Sequence, residues 1–266
     1  MRVLKNISSF SSVLPIQRYS IVRPYLKGNS GFKPVLLTFD DGPNHIDNIT
    51  LDLLSVLKVH NVKAAFCLIG KNVKQHPGIV KQIFLDGHVI GNHGHAGDPF
   101  IFKRMKTISE DIDACNNAIY EATESNTHQV EYFRPGYGAY FKKHITFWES
   151  KNMQLLPVTD FFFDHKVNPK GMVKFVSHFT KKVKKNNGGV YVLHDGRNEY
   201  QKINSKMNVA RSKNKISDYD RRWIPNAVDK IITELKTDFI FPRLDDGLPN
   251  KFHPDFKSFL FSELTK

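Results

Sequence analysis

From Lys33 onward, short β-rich runs alternate with stretches whose apolar residues recur every three or four positions, and this alternation restricts the chain to folds built of consecutive β/α units. The first run, Val35 to Phe39, ends on Asp40 and Asp41. Later runs fall at about 63–69, 88–92, 130–134, 154–159, 190–193 and 238–241. Between them, Ile46, Ile49, Leu53, Leu54 and Leu57 mark one helix, and a second begins near Pro77 and stops at Gly87. Ile108, Ile112, Cys115, Ile119 and Ala122 mark a third, with further helices predicted near 139–150, near 170–185 and around Val228, Ile231, Ile232 and Leu235. Seven such units imply a parallel sheet covered by helices. At this length an α/β single domain, a closed or nearly closed (β/α) barrel, is favoured over an open sheet.

The rest of the sequence narrows the class. No apolar run reaches the roughly 18 residues of a membrane-spanning helix. Cys67 and Cys115 cannot make a disulfide framework and form no CxxC pair, so both are read as core thiols in a reducing compartment. The net charge of +13 is uneven: six basic residues and no acid precede Asp40. Ser8, Ser9, Ser11, Ser12 and Ser20 interrupt an apolar helical stripe in that segment, which is the composition of a transit peptide. Residues 1–23 are therefore expected to direct import into the mitochondrial matrix, with cleavage near Arg18-Tyr19; a basic tail on a cytoplasmic protein is the alternative. The connection 195–221 is long and rich in basic residues, among them Arg211, Lys213, Lys215 and Arg221. Loops of that length are usually functional.

In a β/α barrel the side chains that do chemistry sit where strands end. Here those places hold Asp40 and Asp41 after the first strand, His93 and His95 after the third, Arg134 after the fourth, Asp160 and Asp164 after the fifth and His194 after the sixth. Two adjacent carboxylates on an irregular strand end can point in different directions, so one can ligate a metal while the other acts as a base. Carboxylate with imidazole suits a divalent transition metal such as zinc, which lowers the pKa of bound water to about 7. An arginine beside the free carboxylate keeps it ionised, and a separate histidine can protonate a leaving amine. Together they amount to metal-assisted hydrolysis of an amide or ester.

The strings TFDDGP at 38–43, GNH at 91–93, FRPGYG at 133–138, an aspartate-bearing segment at 160–164 and VLHDG at 192–196 resemble, in order and spacing, the five motifs of the polysaccharide deacetylase family, the NodB homology domain of carbohydrate esterase family 4. The resemblance spans roughly 33–243, leaving 244–266 as a C-terminal extension. It implies a distorted or incomplete (β/α) barrel that removes acetyl groups from N-acetylated sugars with one divalent metal, zinc or cobalt. It further implies Asp40 as general base, Asp41 and His93 as metal ligands, and Arg134 as the keeper of the Asp40 charge. The backbone N–H of Tyr137 would face the oxyanion, His194 would be the general acid oriented by Asp164, and Leu193 would wall the acetyl pocket.

Three departures accompany the resemblance. The family expects a second histidine four residues after His93, where this chain has Gly97. His95 is a replacement candidate, because positions i and i+2 of an extended segment face the same way; Asp98 is another, and a metal held by Asp41 and His93 alone is the alternative. Gly136 replaces the proline of the arginine motif, and Phe161 and His165 replace an acid and a tryptophan of the aspartate motif. The expected substrate is an acetylated sugar or, since neither chitin nor peptidoglycan is expected in a mitochondrion, a small amide. A family member that has lost its metal and binds a carbohydrate or a partner is the runner-up. Nucleic acid binding through the basic connection ranks below both.

Overall fold

The computed structural model describes residues 17–18, 33–45, 48–125, 130–156, 158–196 and 221–244. The leader 1–23 apart from Gln17 and Arg18, residues 197–220 of the basic connection, and the C-terminal extension past Leu244 lie outside the described residues.

Seven parallel strands form one sheet: β1 (Val35–Gly42), β2 (Ala65–Leu68), β3 (Val89–Asn92), β4 (Tyr132–Phe133), β5 (Gln154–Leu155), β6 (Asp160–Phe161) and β7 (Gly189–His194). Their spatial order is β5-β4-β3-β2-β1-β7-β6. The two edge strands are consecutive in the chain. Leu155 and Asp160 are five residues apart, a reach of at most about 18 Å, whereas a flat sheet of seven strands would hold its edges about 29 Å apart. The sheet therefore curls, and it forms an open half-barrel in which β5 and β6 are not paired to each other.

Alternation along each strand divides the apolar residues between two faces. Leu36, Ala65, Cys67, Val89, Tyr132 and Val190 cluster together inside the curl. Leu37, Phe39, Phe66, Phe133, Tyr191 and Leu193 belong instead to the large cluster shared with the helices. Those helices are α1 (Ile49–Val59), α2 (Gly70–Gln75), α3 (Pro77–Leu85), α4 (Met105–Thr123), α5 (Lys142–Ser150), α6 (Met172–Asn186) and α7 (Trp223–Leu235). In α4 the whole predicted stripe, Ile108, Ile112, Cys115, Ile119 and Ala122, is buried. In α7 the buried face runs from Trp223 to Leu235. Each such aliphatic side chain contributes roughly 1.5–3 kcal/mol on burial, and helices this short depend on that packing more than on propensity.

Three expected elements differ. The run 154–159 is not one strand: β5 ends at Leu155 on one edge, and Thr159, just before β6 on the opposite edge, already bonds to β7, where its N–H donates to the Val190 carbonyl (2.7 Å) and its Oγ1 accepts from the Val190 N–H (2.9 Å). The run 238–241 contributes only a parallel bridge between Ile240 and Pro34. The helix expected over 139–150 starts at Lys142, since Ala139 and Tyr140 pair antiparallel with Gln17 and Arg18. Both cysteines are buried free thiols. Among the described residues no helix is long and apolar enough to cross a membrane.

Candidate active site

The carboxyl ends of β1, β3, β4 and β7, with the turn after β6, carry the polar residues singled out in the sequence. Asp40 lies in register with His194 on β7 and with Cys67 on β2. In a regular strand the next residue would point away from it. Here the β1–β2 register shifts between Asp40 and Gly42, and Asp41 takes a left-handed conformation with φ 70°. Such a bulge re-aims a side chain, so the two adjacent acids take separate partners.

Asp40 is buried and its Oδ1 accepts a hydrogen bond of 2.6 Å from Arg134 Nη1, which also donates to Thr38 Oγ1 at 2.7 Å. Thr38, two residues before Asp40 on the same face, donates its own hydroxyl proton to the Tyr191 carbonyl. Asp41 Oδ1 lies 3.3 Å from His93 Nε2. The other ring nitrogen, Nδ1, donates to the Arg134 carbonyl at 2.7 Å, a bond that leaves Nε2 directed at Asp41. Burial alone would push the Asp41 carboxyl up; the His93 hydrogen bond and the charges on His194, His93 and Arg221 outweigh it and hold it low. For His93 burial acts downward, and Asp40 and Asp41 raise the value in spite of it.

The second charged cluster centres on Asp164, which is fully buried. Its Oδ1 is 2.7 Å from His194 Nδ1, and its Oδ2 accepts from the His194 backbone N–H at 2.9 Å. Desolvation works against the imidazolium, yet Asp164, Asp41 and Asp40 raise His194 to about 9. The Asp164 carboxyl, which burial would raise, is held well below the usual carboxylate range by His194 and Arg221. His165, at the family's tryptophan position, is pushed down to about 4 by burial and by the neighbouring His194 charge.

Two donors suit a metal, and the candidates for a third do not join them. Ligands about 2.0–2.2 Å from a tetrahedral zinc lie roughly 3.3–3.6 Å apart, which is the spacing of Asp41 Oδ1 and His93 Nε2. His95 is not brought to this pair. Gly94 takes φ 81°, so 93–95 is not the extended segment that the i, i+2 argument requires. Asp111 on α4 then accepts from the His95 and Ala96 N–H groups (2.7 and 3.1 Å), which lays the His95 ring against Gly70. Asp98 is held in an ion pair with Lys103 at 2.5 Å. Among the described residues the one trio of ligand atoms close enough to share an ion is Asp164, His165 and His194. Both oxygens of its carboxylate are already engaged by His194 and Arg221.

Leu193 also differs from expectation. It lies in register with Phe39, in the cluster shared with the helices, because one residue along a strand reverses the face. The residue on the same face as His194 is Val192. Tyr137 sits in a tight turn with φ 61°. Beside that turn, a Cβ on Gly136 would meet the Asp98 carbonyl at 3.3 Å and the Gly97 carbonyl at 3.8 Å. The departures at Gly97 and Gly136 are thus neighbours in space.

Two residues with structural claims on the site were not singled out in the sequence. Asp195 is fully buried behind Gly42; its Oδ2 accepts from Thr50 Oγ1 at 2.6 Å, and burial raises its carboxyl to about 6. Arg221 reaches Asp164 and His194 from the far end of the basic connection. The VLHDG string offered a signal for Asp195. None existed for Arg221, which is one of several basic residues in an aperiodic stretch.

The chain is similar in sequence and in fold to known proteins. Residues 27–156 match the polysaccharide deacetylase family model. The chain is 30% identical over 168 residues to a peptidoglycan-N-acetylmuramic acid deacetylase of Bacillus subtilis, covering 63% of this chain and 62% of the relative. It is 34% identical over 142 residues to a peptidoglycan-N-acetylglucosamine deacetylase of Bacillus cereus, covering 52% and 46%. The chain thus spans about half to three-fifths of these relatives' length. The crystal structure of a peptidoglycan N-acetylglucosamine deacetylase superposes with a TM-score of 0.64 at 26% identity, over 81% of this chain and 87% of that one. A carbohydrate esterase family 4 pseudoenzyme from Bacillus anthracis shares the fold alone, with a TM-score of 0.55 at 21% identity over 69% and 62%. With its motifs at the strand ends of a curled parallel half-barrel, the chain matches the polysaccharide deacetylase family in sequence over residues 27–156 and in fold.

Proposed function

We propose that the chain is a hydrolase that removes the acetyl group from an N-acetylated sugar or a related small amide. The observation that carries this reading is the adjacency of two differently poised groups: Asp40 gripped by Arg134, and, in register with it on the next strand, His194 gripped by Asp164. Asp40 accepts a proton from the attacking water. His194, protonated at neutral pH with its value near 9, gives a proton to the departing nitrogen. Asp164 fixes Nδ1–H, so Nε2 is the nitrogen that donates. The Tyr137 N–H serves the oxyanion. Asp41 and His93 would hold a divalent metal, zinc or cobalt, which when bound polarises the acetyl carbonyl and acidifies water. Relatives named as deacetylases of N-acetylated sugars support the substrate class.

The test is acetate release from N-acetylglucosamine oligomers and peptidoglycan fragments by the zinc- or cobalt-loaded chain. Release that Asp40→Asn reduces by about 100-fold or more supports the reading. Equal release by Asp40→Asn refutes the assignment of the base. A second reading, a sugar-binding member without turnover, is favoured by one observation: no third described side chain joins Asp41 and His93. It predicts sugar binding with no acetate.

A further inference from the structure

Arg221 is buried, and the hydrogen bonds its guanidinium makes among the described residues all go to the two residues of the proposed acid. Nη1 donates to the Asp164 carbonyl at 2.9 Å and Nε to the His194 carbonyl at 3.2 Å. Nη2 donates to both Asp164 Oδ2 and the His194 carbonyl at short range. A buried arginine whose only task was to neutralise a carboxylate would need one of these bonds. This one spans the carboxylate and both backbone carbonyls, as only a planar fork can.

We propose that Arg221 is a positioning residue: it fixes the orientation of the Asp164 carboxylate and ties it to the end of β7, so that His194 keeps one tautomer and one ring position through turnover. The consequence for turnover rests on the hydrolase reading; the positioning does not. When His194 gives up its Nε2 proton, the Nδ1–H must remain on the ring. A carboxylate paired with Arg221 stays ionised and accepts that hydrogen bond without taking the proton. The other groups facing His194 cannot do this. Asp40 and Asp41 approach from β1 and have their own partners, His165 has no positive charge at neutral pH, and Phe161 offers only a ring edge at 5.9 Å. Arg221 also lies across residues 197–220 from Asp195 and Gly196, so both ends of the basic connection meet at the acid.

The experiment uses the full chain labelled with ¹⁵N-histidine, as wild type, Arg221→Met and Arg221→Lys. In wild type, His194 should give a downfield, exchange-protected Nδ1–H signal. Arg221→Met, checked for a cooperative melt, should lose that protection, and Arg221→Lys should recover part of it. In turnover, the Met variant should lose about 10- to 100-fold in kcat with KM within about twofold of wild type, the range seen when groups that orient a functional histidine are removed. A folded Met variant with an unchanged His194 signal and unchanged kcat would overturn the proposal. If the Met variant does not fold, the Lys variant is read by the same two criteria. A wild type that releases no acetate but shows the Arg221-dependent signal sinks the hydrolase reading and leaves the positioning intact.

Discussion

The Asp40–Arg134 pair allows a stability prediction that does not depend on any substrate. The two charges are 2.6 Å apart, and their side chains are only 5% and 4% exposed. At an effective dielectric of about 20, unit charges at that separation attract by about 6 kcal/mol, against which the loss of hydration of both groups must be set. Arg134→Met removes the cation and leaves a buried carboxylate unpaired, and it takes from Thr38 Oγ1 a donor at 2.7 Å. The expected loss is about 3–5 kcal/mol, typical of breaking a buried pair from one side. Asp40→Asn removes the opposite charge and should cost somewhat less, because an amide oxygen still accepts from Nη1. The double variant removes both charges, so no unpaired ion remains, and it should be more stable than the sum of the single losses implies by about 2 kcal/mol. Urea unfolding of the four proteins at pH 7 measures this directly. If the two losses add to within about 0.5 kcal/mol, the charges are not coupled in the folded state and the described ion pair is wrong.

Three further outcomes are expected. His194 has its value raised above the ordinary 6.5 to about 9, so its contribution to stability is complete below about pH 6.5 and is lost as pH rises through 9, by up to about 3 kcal/mol; urea midpoints should fall over that window in wild type and flatten in His194→Gln. Asp41→Ala should abolish zinc retention in elemental analysis, whereas Gly97→His should increase it despite a backbone cost of about 1–2 kcal/mol at φ 71°, and no increase would mean that position 97 does not face the ion. Gly196→Ala would drive a Cβ into the Asp41 carbonyl, so it should lower the melting temperature and weaken metal binding together; wild-type behaviour in both would contradict the packing of 194–196 beneath 40–42.

The sequence by itself determined the order of the β/α units and the residues at the strand ends. Both are local properties: a period of three to four in α4 and an apolar run in β1 follow from which side chains must be covered, whatever covers them. It also marked Asp40, Asp41, His93, Arg134, Asp164 and His194, since polar residues at the ends of apolar runs stand out along the chain. Matters that depend on where the backbone turns were decided only in three dimensions. The run 154–159 reads as one strand, and only the curl of the sheet sends its two ends to opposite edges. The step from His93 to His95 reads as one face of an extended segment, and a left-handed Gly94 with an Asp111 anchor from α4 turns His95 away. Leu193 stands next to His194 in the chain and on the other face of the sheet. Arg221 was illegible in the sequence, because nothing local distinguishes it from the other basic residues of its connection. Its place is set by the burial of Asp164, whose negative charge can stay in the interior only where the tertiary fold brings a cation to it.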